Sequence, residues 1–103
     1  MVTNMEKLHT PEVDALFEAI LSLNNLDECY KFFEDALTVK EILDIAQRLK
    51  AAKMLNSGRS YVEVCAETGM STATISRVSK ALERGRGGYR LVIDRTKKKV
   101  END

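Results

Sequence analysis

The 103-residue sequence predicts an all-α fold of roughly six helices, with a helix-turn-helix in its second half. Three observations carry this. Apolar residues recur at the i, i+3, i+4, i+7 spacing of helix faces through most of the chain. Ser or Thr stands where these stretches open, twice as a full capping box, and Gly stands where they close. The single Pro, Pro11, falls at a helix start rather than inside one.

Taken in order, Thr10-Pro11 is an N-cap followed by proline at the first helical position, where its missing N–H costs nothing. Val13, Leu16, Phe17, Ile20 and Leu21 then share one face, which is expected to be buried, and Ser22–Asn25 end the helix. A second helix is expected near Leu26–Leu37, its apolar face made of Leu26, Cys29, Tyr30, Phe33 and Leu37. Thr38-Val39-Lys40-Glu41 is a capping box opening a long helix that runs to about Asn56 and stops at Gly58. Its apolar positions cover well over half its circumference, which asks for packing on several sides and points to a second subunit. Ser60-Tyr61-Val62-Glu63 is a further capping box, opening a short helix that ends at Gly69. The next helix starts at Ser71 or Thr72 and runs to Glu83 or Arg84, before a connection at Gly85–Gly88. Tyr89–Arg95 is too short for periodicity to decide, and helix is preferred because the rest is helical. A single domain over residues 10–96 is expected, with 1–9 and 97–103 as flexible, charged or polar ends.

Composition narrows the function. The chain is 44% hydrophobic and 31% charged, an ordinary globular balance. It has no run of about 18 apolar residues that would span a membrane, and no signal-peptide pattern, so a cytoplasmic location is expected. Cys29 and Cys65 read as buried free thiols, and with one histidine, His9, and no Cys-x-x-Cys pair, no metal site is expected. No cofactor is implied. The carboxylates Glu34, Asp35, Glu41 and Asp44 sit on helix surfaces among like neighbours, and no nucleophile–base pair or phosphate-binding loop is present, so an enzyme is not expected. The 16 basic and 16 acidic residues cancel, but not locally. Residues 1–45 carry 3 basic and 10 acidic side chains, and residues 46–103 carry 13 basic and 6 acidic. A basic working surface joined to an acidic scaffold follows.

The working surface falls in Ser60–Arg84, a short helix, a three-residue glycine-containing turn and a second helix. Val64, Met70, Ile75 and Val78 stand where such a pair needs apolar contact. Cys65 and Ala66 supply small side chains at the approach, and Gly69 suits a positive φ in the turn. On the second helix Ile75, Val78 and Leu82 share one face, while Ala73, Arg77, Lys80 and Arg84 share the opposite one. That is the layout of a helix entering a DNA major groove. Ser71, Thr72, Thr74 and Ser76 cluster hydroxyls at its N-terminus, where unpaired backbone N–H groups also suit phosphate oxygens. Arg77 is the candidate for base readout, since a guanidinium can bond guanine bidentately. Lys80, Arg84, Arg86 and Arg90 are read as phosphate contacts.

These residues resemble the Trp-repressor family, in particular the Trp-repressor-related proteins of Gram-positive bacteria. The similarity is carried by Leu37-Thr38 through Gly58, by Ser60–Leu82 with Gly69 and Ala73-Thr74-Ile75-Ser76-Arg77, by the Leu-x-x-Cys-Tyr-x-Phe-Phe run at Leu26–Phe33, and by Ala-Gln-Arg-Leu at Ala46–Leu49. It spans about Val13 to Arg95. The resemblance implies a six-helix fold, an intertwined homodimer, and a double-stranded DNA partner carrying a near-palindromic operator, with repression by occupancy. It also implies a remnant effector site, because Thr38, Arg48 and Arg77 match three of the family's tryptophan-binding positions. Two others do not match: Val78 stands where the family has glycine, and Ala81 where it has a ligand-holding serine. Tryptophan is therefore not expected as corepressor. Two other uses of the same fold remain: a protein-interaction module docking through the acidic half, and a DNA-binding accessory of replication or recombination.

Overall fold

A computed structural model describes residues 7–101. Six helices follow one another from Pro11 onward, and no strand occurs among the described residues. They are α1 (Pro11–Leu21), α2 (Leu26–Ala36), α3 (Val39–Asn56), α4 (Tyr61–Thr68), α5 (Thr72–Arg84) and α6 (Gly88–Glu101). The chain divides into two compact bodies, one ending at Val39 and the other beginning at Lys40.

In the N-terminal body the caps are where the residue types place them. Thr10 Oγ1 accepts from the Val13 N–H at 3.2 Å and Asn25 Oδ1 from the Glu28 N–H at 2.9 Å, satisfying first-turn donors of α1 and α2. Glu28 reaches back to accept from the Asn24 N–H at 2.8 Å. The expected burial of the α1 face is not found. Val13 and Ile20 are half-buried, but Leu16 and Phe17 are exposed and Leu21 is 82% accessible. On α2, Cys29 and Phe33 are half-buried, as is the C-cap Leu37, while Leu26 and Tyr30 are exposed. Helical spacing identifies a common face correctly; it does not say whether one chain supplies the surface that covers it.

The C-terminal body holds the core. Ala51, Ala52 and Met54 of α3, Val64 of α4, Ile75, Val78 and Leu82 of α5, and Ile93 of α6 form one buried cluster. Leu49, Leu55, Cys65, Met70 and Tyr89 pack against it. Alanines at 51 and 52, both fully buried, leave room for the larger side chains of the other helices. α3 ends in a Schellman closure at Gly58 (φ 94°): Gly58 N–H donates to Leu55 O at 3.0 Å and Arg59 N–H to Met54 O at 3.1 Å. Both cysteines are free, and both are half-buried rather than fully buried. α6 is longer than the apolar run suggested, continuing as backbone helix through the lysines to Glu101. Of the ends expected to be flexible, 1–6 and 102–103 lie outside the described residues; within them, Lys7 and Leu8 are helical and residues 97–101 continue α6.

Candidate nucleic-acid interface

The region begins with a preformed cap. Ser60 Oγ accepts from the Glu63 N–H and a Glu63 carboxylate oxygen accepts from the Ser60 N–H, both at 3.1 Å. Glu63 also takes the Arg59 guanidinium at 2.9 Å. The backbone bond from Ser60, then the bonds from Arg59 and the Ser60 hydroxyl, hold the Glu63 carboxyl below its ordinary value. At the far end of α4, Gly69 takes the left-handed conformation (φ 72°, ψ 6°) and its N–H donates to Cys65 O at 2.9 Å. Thr68 Oγ1 donates to Val64 O at 2.6 Å and accepts from the Met70 N–H at 3.2 Å. The turn between α4 and α5 is thereby closed by its own side chains.

Ser71 caps α5, its Oγ accepting from the Thr74 N–H at 3.2 Å and lying 3.0 Å from Thr74 Oγ1. One face of α5 is buried: Ile75 is fully inaccessible, and Val78, Ser79 and Leu82 are nearly so. Ala73, Arg77, Lys80 and Arg84 are all exposed, as are Ser71, Thr72 and Arg86, while Thr74 and Ser76 are half-buried. Among the described residues no carboxylate pairs with Arg77, Lys80, Arg84 or Arg86. The helix therefore offers a row of uncommitted cations, preceded by hydroxyls and first-turn N–H groups. Such a surface suits a polyanion.

Arg48 of α3 comes to the same place. Together with Arg77 it lines a cavity of about 360 Å³ whose other walls include Ile45, Thr74, Val78, Ala81 and Tyr89. The two arginines and Thr74 also line an adjoining polar cleft bounded by Lys40, Asp44 and the Gly69–Met70 turn. Asp44, one turn before Arg48, is engaged by Lys40 at 2.7 Å, and Arg48 has no ion pair among the described residues. Thr38, the third residue of the expected remnant site, belongs to the N-terminal body.

Two readings made from the sequence change. Ala66 is exposed on α4, so it is not a spacer at the α4–α5 approach; Val64 and Cys65 make that contact. Arg90, expected as a phosphate contact, is engaged by two neighbouring helices. Its Nε donates to Leu82 O at 3.0 Å and its Nη1 to Asn56 Oδ1 at 3.1 Å, so part of the guanidinium is committed to α5 and α3. Ile45 and Tyr89 in the cavity wall were also unforeseen, because neither belongs to a local motif.

Comparison with known proteins agrees with this architecture. The family model for the Trp repressor protein matches residues 11–97. The chain is 50% identical over 93 residues to YerC of Bacillus subtilis strain 168, an uncharacterized protein, covering 90% of this chain and 89% of YerC. A TrpR-like protein of Eubacterium eligens superposes with a TM-score of 0.85 at 52% identity, over 87% of this chain and 93% of the other. A solved chain from Staphylococcus aureus gives a TM-score of 0.87 at 46% identity, over 93% of this chain and 96% of the other. The two solved structures share the all-α fold of this chain. The chain belongs to the Trp repressor family, a family of DNA-binding regulators.

Proposed function

We propose that this chain is a sequence-specific transcriptional repressor that occupies a near-palindromic operator as a homodimer in the cytoplasm. The observation that carries the reading is α5: a fully packed inner face of Ile75, Val78 and Leu82 holds an outer face of Arg77, Lys80 and Arg84 that no carboxylate neutralises among the described residues. Base readout falls to Arg77, and Ser71, Thr72, Ala73, Thr74 and Ser76 form the end that approaches the groove. Lys80, Arg84 and Arg86 supply backbone charge. Pairing of two chains is supported by the apolar side chains left exposed in the N-terminal body, Phe17, Leu21, Leu26 and Tyr30, and by Val39 and Leu43 of α3. In this reading residues 10–96 act as a single domain.

Tryptophan is not the corepressor. Val78, built into the core, forms part of the wall beside Arg77, and the Ala81 side chain offers no polar atom there. Arg48 and Arg77 are a remnant of the family's effector site within the C-terminal body, and Thr38 matches a third family position in sequence. Saturable tryptophan binding at micromolar concentration in calorimetry would contradict this.

Gel shifts of genomic fragments against random-sequence competitor test the main reading. Retention of a subset of fragments at competitor excess is the expected result. Equal loss of every fragment points to a non-selective DNA-binding accessory, and absence of any shift at low salt points to a protein-interaction module.

A further inference from the structure

Arg90 lies in the first turn of α6, and its guanidinium reaches two other helices. Nε donates to Leu82 O in the last turn of α5, and Nη1 donates to the side-chain Oδ1 of Asn56, the last residue of α3. One side chain thus ties the C-terminal ends of α3 and α5 to the start of α6. The tie answers a local need. α5 leaves the helical path at Gly85 (φ −81°, ψ −155°), whose N–H closes on Ala81 O. The extended backbone carries the N–H of residue 86 away from Leu82 O, its ordinary acceptor, and Arg90 supplies a donor in its place. A cation at helix C-termini also meets the negative end of the dipoles.

The consequence lies at the other end of α5. Thr72 is about 15 Å from Leu82 along the axis, so a tilt of about 5° would move the groove-facing end by ~1.3 Å. That exceeds the latitude of a hydrogen bond to a base edge. The contacts of Ile93 and Tyr89 with the core hold α6 in place but have no preferred direction; the two bonds of Arg90 do.

We infer that Arg90 is a positioning residue for the DNA-reading helix, acting through Leu82 and Asn56 and not by touching phosphate. The inference rests on the DNA-binding reading above. Its test compares wild type, R90Q, R90K and N56A on the selected operator and on random duplex over a salt series. R90Q and N56A are each expected to weaken operator binding about tenfold while changing random-duplex binding little. The slope of log affinity against log salt should stay unchanged, and a double variant carrying both R90Q and N56A should lose no more than R90Q alone. R90K, which can reach one acceptor, should recover part of the loss. A phosphate contact would give the opposite pattern: a slope smaller by about one in R90Q and wild-type binding in N56A. Equal loss on operator and random duplex would mean general unfolding and would equally overturn the inference. Amide exchange separates the inference from the function it rests on. Both R90Q and N56A should exchange faster at residues 83–86, whether or not wild type binds DNA; unchanged exchange would remove the tie even if wild type binds its operator.

Discussion

Arg77 and Lys80 are three residues apart on one exposed helix face, yet the proposed function gives them different work. A guanidinium fork can read guanine, whereas a lysine is a point charge that meets phosphate without regard to sequence. Arg77→Ala should cost about 1–3 kcal/mol on the preferred operator and relax preference at the base it reads. Lys80→Ala should weaken every sequence by a similar factor and reduce the salt slope by about one. Anisotropy titrations on operator and random duplexes over a salt series check both, and identical behaviour of the two variants would refute the division. Arg77, Lys80 and Arg84 were legible in the sequence because helical spacing alone puts them opposite Ile75, Val78 and Leu82. Arg90 was not. Its partners lie 8 and 34 residues away, and nothing local distinguishes a tie from one more basic residue in a basic segment.

At the scale of the element, the ends of the helices carry the most readable information. Ser60–Glu63, Gly58 and Gly69 each take the geometry that their residue types require. The α4 box has a pH consequence. Because the folded state holds the Glu63 carboxyl below its ordinary 4.5, the box contributes its full stability above that value and loses it as pH falls through the lowered one. Thermal midpoints measured between about pH 5 and pH 2 should fall less steeply in Glu63→Gln than in wild type. An equally steep fall would show that the acid sensitivity arises elsewhere. Two glycines on either side of the α5–α6 connection should respond in opposite directions. A Cβ at Gly85 would run into the Ala81 carbonyl oxygen, whereas one at Gly88 meets nothing within 4 Å. Gly85→Ala should therefore cost roughly 1–3 kcal/mol. Gly88→Ala should be stabilising by about 0.4–1 kcal/mol, both read from urea unfolding. The length of α6 was hidden for a physical reason: the lysine run after Arg95 carries no apolar period, so only the backbone reveals that the helix continues.

For the whole molecule, the formal net charge of zero conceals the division of labour. The acidic residues concentrate before residue 46 and the basic ones after it, and the surplus of positive charge follows the exposed face of α5 and the segment beyond. A basic segment raises the rate of encounter with a polyanion. The fold class was legible from period and caps. What encloses α1 and α2 was not, because an apolar face looks the same in sequence whether its cover comes from the same chain or from another. Phe17, Leu21 and Leu26 remain exposed in the single chain, and the proposed homodimer would cover them. Selection of bound sites from genomic fragments, followed by footprinting of the recovered sequence, tests the central claim most directly. The account predicts one inverted repeat, protected in two half-sites about 10 bp apart, as two α5 helices in successive major grooves require. Recovery of no common sequence, or protection of a single unrepeated site, would contradict it.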